Sequence, residues 1–102
     1  MQVKTFTKRD IAKIVSRNLN KSIRKSIIYT DEVFNAVREL LCKDDDYIRV
    51  EVRNFCVIKS KPAKAKPKAR NPRTNEEIFV PAHKKTHFKP GKLLKEHLKK
   101  PI

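Results

Sequence analysis

The sequence predicts an α+β fold with two N-terminal helices, a three-stranded antiparallel sheet that extends into a long β-hairpin arm, and a short C-terminal helix. Three observations predict it. Apolar residues recur at helical spacing in the N-terminal part, apolar and charged residues alternate from Tyr47 to Arg53, and a proline-containing turn follows a basic run. A chain of 102 residues has room for one small core, so residues 1–102 are assigned to a single domain.

The first helix is predicted over about residues 8–18. Thr7 is a favoured N-cap, and Asp10 follows three residues later as in a capping box. Ser22 caps a second, longer helix with one apolar stripe, which consists of Ile23, Ile27, Thr30, Phe34, Val37 and Leu41. Val33 and Leu40 widen this stripe beyond what one short helix could cover. Residues 1–46 are therefore assigned to a helical dimerisation part.

The sheet is predicted over residues 47–88. Tyr47–Arg53 alternates as a half-buried strand should, Asn54 makes a turn, and a second strand begins at Phe55. This strand runs into an arm over about residues 59–80, and the third strand returns from Ile78 to Phe88. Residues 89–102 then form the C-terminal helix.

The arm has the most informative chemistry in the chain. Six of the twelve residues from Lys59 to Arg70 are lysine or arginine, and none is acidic. Asn-Pro-Arg-Thr-Asn follows at positions 71–75 as a strong turn sequence, since proline presets φ at the second position and Asn75 tolerates a positive φ. The result is a cationic hairpin with a rigid apolar tip, which suits the minor groove of DNA.

Charge indicates the same partner. The formal net charge is +15, and residues 53–102 carry 15 basic and 3 acidic side chains, against 11 and 8 in residues 1–52. The second half is therefore predicted to be the face that binds a polyanion. Lysines at the start of the last helix, beside free backbone N–H groups, are candidates to hold a phosphate.

The sequence contains little evidence for a redox, metal-binding, enzymatic or membrane function. Cys42 and Cys56 stand at no motif spacing and are interpreted as small apolar residues in a reducing compartment. His83 and His87 lack a third metal ligand, so neither a metal nor another cofactor is expected, and the two rings more simply add pH-dependent positive charge. With one glycine and no nucleophile–base arrangement, the sequence predicts neither an enzyme nor a small-molecule site. No apolar run is long enough for a membrane span.

The thin core indicates a dimer. Without the basic arm, only about 70–80 residues remain to bury apolar surface, a size at which one core contributes only a few kcal/mol. No tryptophan, disulfide framework or metal signature supplies additional stability. Association with a second chain is the simplest source of additional stability. The sequence leaves open whether that chain is identical or a paralogue.

The order of elements and several motifs resemble the bacterial histone-like HU and integration host factor proteins. The most specific are Arg70-Asn71-Pro72-Arg73-Thr74, Pro81-Ala82, and Phe88-Lys89-Pro90-Gly91-Lys92 followed by Leu94-Lys95. The resemblance extends from Thr7 to about Leu98. It implies an intertwined dimer with a helical base and two arms that embrace duplex DNA through the minor groove, in the bacterial cytoplasm and on the nucleoid.

The resemblance also implies roles for individual residues. Pro72 would be the intercalating wedge, with Arg70, Asn71 and Arg73 beside it in the groove. Phosphates would be held by Arg53 at the saddle of the dimer, the concave surface between the arms, and by a series of lysines: Lys59, Lys61, Lys64, Lys66, Lys68, Lys84, Lys85, Lys89, Lys92 and Lys95. The dimer core would contain Phe34, Val37, Leu41, Phe55 and Phe88.

The chain departs from the usual pattern of this family at a few positions. Asn54 and Cys56 flank the saddle phenylalanine where the family has glycines, and Asn75 replaces the glycine after the arm-tip threonine. Because asparagine is the least costly substitute at a positive φ, both turns are expected to survive. The leading function is bending of duplex DNA with little sequence preference. Two alternatives are a site-preferring protein like integration host factor and an RNA-binding basic protein.

Overall fold

The computed structural model describes residues 2–102 of the chain, except for the side chains of residues 66–69. The described helices and strands are, in chain order, α1 (Lys8–Leu19), α2 (Ile23–Leu41), β1 (Ile48–Val52), β2 (Cys56–Ala63), β3 (Lys66–Arg70), β4 (Glu77–Val80), β5 (His83–Pro90) and α3 (Lys92–Leu98). They form two compact units, Met1–Glu39 and Leu40–Ile102. The assignment of the chain to one domain with three parts stays a prediction.

Helix α1 begins where the capping residues predict. The backbone N–H of Thr7 donates to the Asp10 carboxylate at 2.8 Å, and the Thr7 hydroxyl donates to the same oxygen at 3.1 Å. These two hydrogen bonds, the backbone one foremost, lower the pKa of Asp10 below its ordinary value. The helix ends at Asn20, which adopts a left-handed conformation with φ 53° and donates its N–H to the Ser16 carbonyl.

The helical unit buries small residues. Ala12 of α1 and Ser26 and Thr30 of α2 are at most 5% exposed. The Ser26 hydroxyl donates to the Ser22 carbonyl at 2.9 Å, and the Thr30 hydroxyl donates to the Ser26 carbonyl at 2.7 Å, so both buried polar groups are satisfied within the helix. The larger side chains of the predicted stripe are more accessible, and Phe34 is 42% exposed.

Strands β1, β2 and β5 form an antiparallel sheet in that order. In its register, Val50 lies opposite Ile58, and Ile58 lies opposite Phe88. The sequence predicted that the second strand begins at Phe55. It begins instead at Cys56, and Phe55 belongs to the preceding turn.

The arm is a separate two-stranded ribbon of β3 and β4. The sequence predicted that the second strand runs into the arm and that the third strand returns from Ile78 to Phe88. In the structure both are divided, because the ladder is interrupted at residues 64–65 and 81–82. Pro81 lies in this break and has no N–H to donate to a ladder. The register continues across it, from Ala63 opposite His83 to Lys66 opposite Val80, and shifts by one residue between Lys66 and Ala69.

Asparagine supplies the left-handed backbone that the turns need. Asn54, between β1 and β2, has φ 66°, and Asn75, at the arm tip, has φ 59°. Both turns therefore form with asparagine at the positive-φ position, as expected.

Gly91 marks a different constraint, a close approach of two backbones. Its N–H donates to the Phe55 carbonyl at 2.6 Å, and a Cβ at this position would lie 2.8 Å from the same oxygen. The turn before β2 is thus held directly against the start of α3.

Candidate nucleic-acid interface

The register of the three-stranded sheet separates its side chains into two chemically different faces. Side chains directly opposite each other on antiparallel strands share a face, and successive residues alternate between faces. One face, called the apolar face below, carries three rows: Ile48, Ser60 and Thr86; Val50, Ile58 and Phe88; and Val52, Cys56 and Pro90. Cys56 and Ser60 on this face are 2% and 5% exposed.

The other face, called the basic face below, is dominated by cations. Its rows are Lys61 and Lys85; Arg49, Lys59 and His87; and Glu51, Val57 and Lys89. Five of these side chains are lysine or arginine, and the one carboxylate, Glu51, accepts a hydrogen bond from the guanidinium of Arg49 at 2.8 Å. Four of the five cations are exposed and Lys59 is half-buried. The arrangement is a dense patch of positive charge on a sheet, suited to a phosphate backbone.

Lys84 and Lys85 are neighbours in the chain but belong to opposite faces. Lys84 shares its face with Thr86 and Phe88, and its ammonium donates to the carbonyl oxygens of Lys43 and Asp45 at 3.2 and 2.9 Å. It therefore ties β5 to the loop between α2 and β1. Lys85 lies on the basic face opposite Lys61 and is exposed. Sequence reasoning gave both lysines the same role, and the register separates them.

The arm tip is organised by Asn71. Its backbone N–H donates to the Glu76 carbonyl at 2.9 Å, and its carbonyl accepts the Asn75 N–H at 2.7 Å. Its side-chain oxygen accepts the Arg73 N–H at 3.0 Å, which forms an Asx turn around Pro72. Pro72 is exposed at the apex, and none of these hydrogen bonds depends on it. The tip thus presents a rigid apolar ring to solvent.

Arg70 and the remaining predicted cations lie around the basic face and the arm tip. The Arg70 guanidinium donates to the Asn75 side-chain oxygen at 3.4 Å, beside the tip. Arg53 is exposed in the turn between β1 and β2, and Lys64 is exposed at the break before the arm. Lys92 and Lys95 are exposed on α3, Lys92 at its first residue and Lys95 in its last turn. Lys66 and Lys68 are on β3, and their side chains lie outside the described residues.

The predicted dimer-core residues are partly accessible in the single chain. Phe55 and Phe88 are 51% and 58% exposed, with ring centroids 6.2 Å apart in an edge-to-face arrangement. Val37 and Leu41 of α2 are half-buried. Exposed aromatic rings that pack on each other at a surface are typical of a surface that another chain covers.

Arg49 was not among the interface residues predicted from the sequence, and His87 was predicted to add pH-dependent positive charge but was not assigned to the interface. The alternation of Tyr47–Arg53 already placed Arg49 on the polar side of its strand, but only the pairing of β1 with β2 puts it next to Lys59. His87 joins the same row through the pairing of β2 with β5.

Two other features are absent from the part of the chain that the structure describes. No group of three or more potential metal ligands converges there. Among the same residues, no helix combines the length and apolar character needed to cross a membrane.

Comparison with known proteins identifies the family. A family model described as bacterial DNA-binding protein matches residues 6–99. The chain belongs to this family. It is 35% identical over 94 residues to DNA-binding protein HU of Geobacillus stearothermophilus and 32% identical over 94 residues to that of Staphylococcus aureus strain COL. In both cases the match covers 92% of this chain and 100% of the relative. The family is one of structural DNA-binding proteins and not of enzymes, as the sequence predicted.

A solved structure supports the fold of this family member. The chain is similar to Anabaena HU in a cocrystal structure with DNA, with a TM-score of 0.79 and 24% sequence identity over 94% of this chain and 100% of the other. The predicted α+β fold, with two helices, a three-stranded sheet and arm, and a short final helix, is thereby confirmed.

Proposed function

We propose that this chain is an architectural protein of the bacterial nucleoid, in the cytoplasm, which binds duplex DNA through the minor groove as an intertwined dimer and bends it with little sequence preference. The observation that carries DNA binding is the basic face, where five cationic side chains share one side of the sheet and most of the apolar side chains lie on the other. A backbone-directed surface of this kind neutralises phosphates and does not read bases.

Dimerisation is supported by exposed apolar side chains. Phe88 and Val52 on the apolar face and Phe55 in the turn before β2 are between 38% and 58% exposed, and Phe34 of α2 is 42% exposed. Burial of such side chains against a second chain contributes roughly 1.5–3 kcal/mol for each one fully buried. The dimer core assigned to Phe34, Val37, Leu41, Phe55 and Phe88 is part of this proposal, with an identical chain or a paralogue as the partner.

Bending is assigned to the arm tip. Minor-groove architectural proteins, HU and integration host factor among them, insert apolar wedges between base steps. Pro72 is exposed and rigid, and it has no N–H that would stay unsatisfied inside the base stack. Arg70, Asn71 and Arg73 adjoin it in the groove, while the cations of the sheet and of α3 hold the flanking phosphates.

Lys84 is given a different role from the one that the resemblance implied. Its ammonium already donates to two backbone carbonyls on the apolar side of the sheet. We therefore assign the phosphate contacts of β5 to Lys85 and Lys89 and treat Lys84 as a positioning residue.

The test measures how strongly the Pro72→Ala variant still bends DNA. Because the tip hydrogen bonds come from Asn71, Asn75 and Arg73, the variant keeps the loop and changes only the apolar ring. We expect most of the charge-driven affinity to persist while much of the bend is lost, since unstacking a base step requires the wedge. Energy transfer between the ends of a labelled duplex of about 35 base pairs measures the bend at saturating protein.

Pro62→Ala is the matched control, because Pro62 is also exposed but lies on β2, away from the tip. It should bend DNA as the unaltered protein does. If the Pro72→Ala variant bends DNA fully, Pro72 is not the wedge and the arm only holds DNA electrostatically. Competition with double-stranded RNA of the same length tests the partner, because the wide, shallow minor groove of RNA offers the wedge no site. Equal competition by RNA would overturn the assignment to DNA.

A further inference from the structure

His87 lies within the basic face and is surrounded there by cations. It is directly opposite Lys59 on β2, and Lys85 and Lys89 flank it two residues away on its own strand. Lys61 and Val57 are its diagonal neighbours on β2, and Arg49 completes its row on β1. Glu51 is the one carboxylate on this face within the three strands; it lies in the next row on β1 and is paired with Arg49.

An imidazole in this position carries charge only when it is protonated, and histidine is the side chain whose charge ordinarily changes between pH 5 and 8. A phosphate placed on the same face favours the protonated form of an imidazole. A group in such surroundings takes up a proton when the anion binds. The affinity for the anion then rises as the pH falls.

We propose that His87 is a proton-dependent phosphate-binding residue, which makes DNA binding by the basic face tighter at pH 6 than at pH 8. The inference rests on the proposed function, since it requires DNA to lie along this face. It adds to that function a regulatory property, namely that one contact per protomer is made only in the protonated state.

His83 does not fit this role as well, although it lies on the same strand. Its Nδ1 is 2.9 Å from the Pro81 carbonyl, so this nitrogen donates within the protein and holds the ring at the break before the arm. Its cross-strand partner is Ala63, with no cation directly opposite. His97 is exposed on α3, outside the sheet. These two histidines therefore serve as controls.

The expected difference between the salt slopes at pH 6 and pH 8 follows from counterion release. Each phosphate neutralised adds roughly 0.9 to the slope of log K against log salt concentration on duplex DNA. A dimer carries two copies of His87. The slope at pH 6 should therefore be steeper than the slope at pH 8 by up to about 1.8.

The experiment compares the unaltered protein with His87→Gln, His87→Lys, His83→Gln and His97→Gln on a duplex of about 35 base pairs. Affinity is measured over a salt series at pH 6 and pH 8. Calorimetry in two buffers of different ionisation enthalpy counts the protons taken up on binding. We expect His87→Gln to keep the pH 8 slope at both pH values and to lose proton uptake, and His87→Lys to show the steeper slope at both.

Persistence of the pH-dependent slope in His87→Gln, or its loss in His83→Gln or His97→Gln, would overturn the inference. A pH-independent slope in the unaltered protein would do so as well. Failure of the proposed function is a separate result, in which the unaltered protein does not bind DNA in a salt-dependent manner at pH 8, where His87 is not required.

Discussion

Lys84 and Lys85 offer a sharp test of the face assignment, because adjacent positions are predicted to respond differently to the same substitution. Lysine to methionine removes the charge and the donors while it keeps most of the side-chain length. Lys85→Met removes a cation from the basic face, and Lys84→Met removes the hydrogen bonds to the Lys43 and Asp45 carbonyls.

For Lys85→Met we expect weaker DNA binding with little change in stability. Two lost phosphate contacts per dimer lower the slope of log K against log salt by about 1.8. Relative to 1 M salt, each contact contributes about eightfold in affinity at 0.1 M, so the loss at 0.1 M is about 60-fold.

For Lys84→Met we expect lower stability with little change in DNA binding. Its two hydrogen bonds are exposed to solvent, so their loss costs about 1 kcal/mol in the free energy of unfolding. For a domain of this size that lowers Tm by roughly 4–8 °C. The salt slope of DNA binding should stay within about 0.3 of the unaltered value, since Lys84 makes no phosphate contact in this assignment.

Salt titrations of DNA affinity and thermal melts at one fixed protein concentration measure both effects. If Lys84→Met flattened the salt slope as much as Lys85→Met, the register-based separation of the two faces would not describe the DNA-bound protein. If Lys85→Met left the slope unchanged, the basic face would not be the DNA surface.

Three further predictions concern stability. Gly91→Ala should lower the free energy of unfolding by about 1–3 kcal/mol, because its Cβ would lie 2.8 Å from the Phe55 carbonyl oxygen; an unchanged Tm would contradict this close approach. Asp10 has a lowered pKa, so its carboxylate stabilises the fold above the ordinary value of 3.8 and loses that contribution as the pH falls through the folded-state pKa. Asp10→Asn should therefore reduce the fall in Tm at acid pH when Tm is measured over a range of pH. A variant whose Tm falls at acid pH as steeply as that of the unaltered protein would refute the role of the cap. Because the apolar face and α2 are expected to be covered by a second chain, Tm should fall on hundredfold dilution, and a constant Tm would contradict an obligate dimer.

Local chemistry made much of this protein predictable from its sequence. Thr7 and Asp10 determine the start of α1 through hydrogen bonds over three residues, and asparagines at positions 54 and 75 provide the positive φ that their turns need. The arm tip was equally predictable, because Asn71 and Asn75 close it within a few residues. The concentration of positive charge in the second half is a property of composition and needs no structure.

Tertiary pairing decided which side chains share a surface. Alternation along β5 already separates Lys84 from Lys85, but only the register with β2 shows which of them joins Lys61 on the basic face. Arg49 and His87 are 38 positions apart and meet in one row through two strand pairings. Cross-strand pairs join residues far apart in the chain, and a shift of one residue would exchange the two faces, so the composition of the binding surface is a property of the folded sheet.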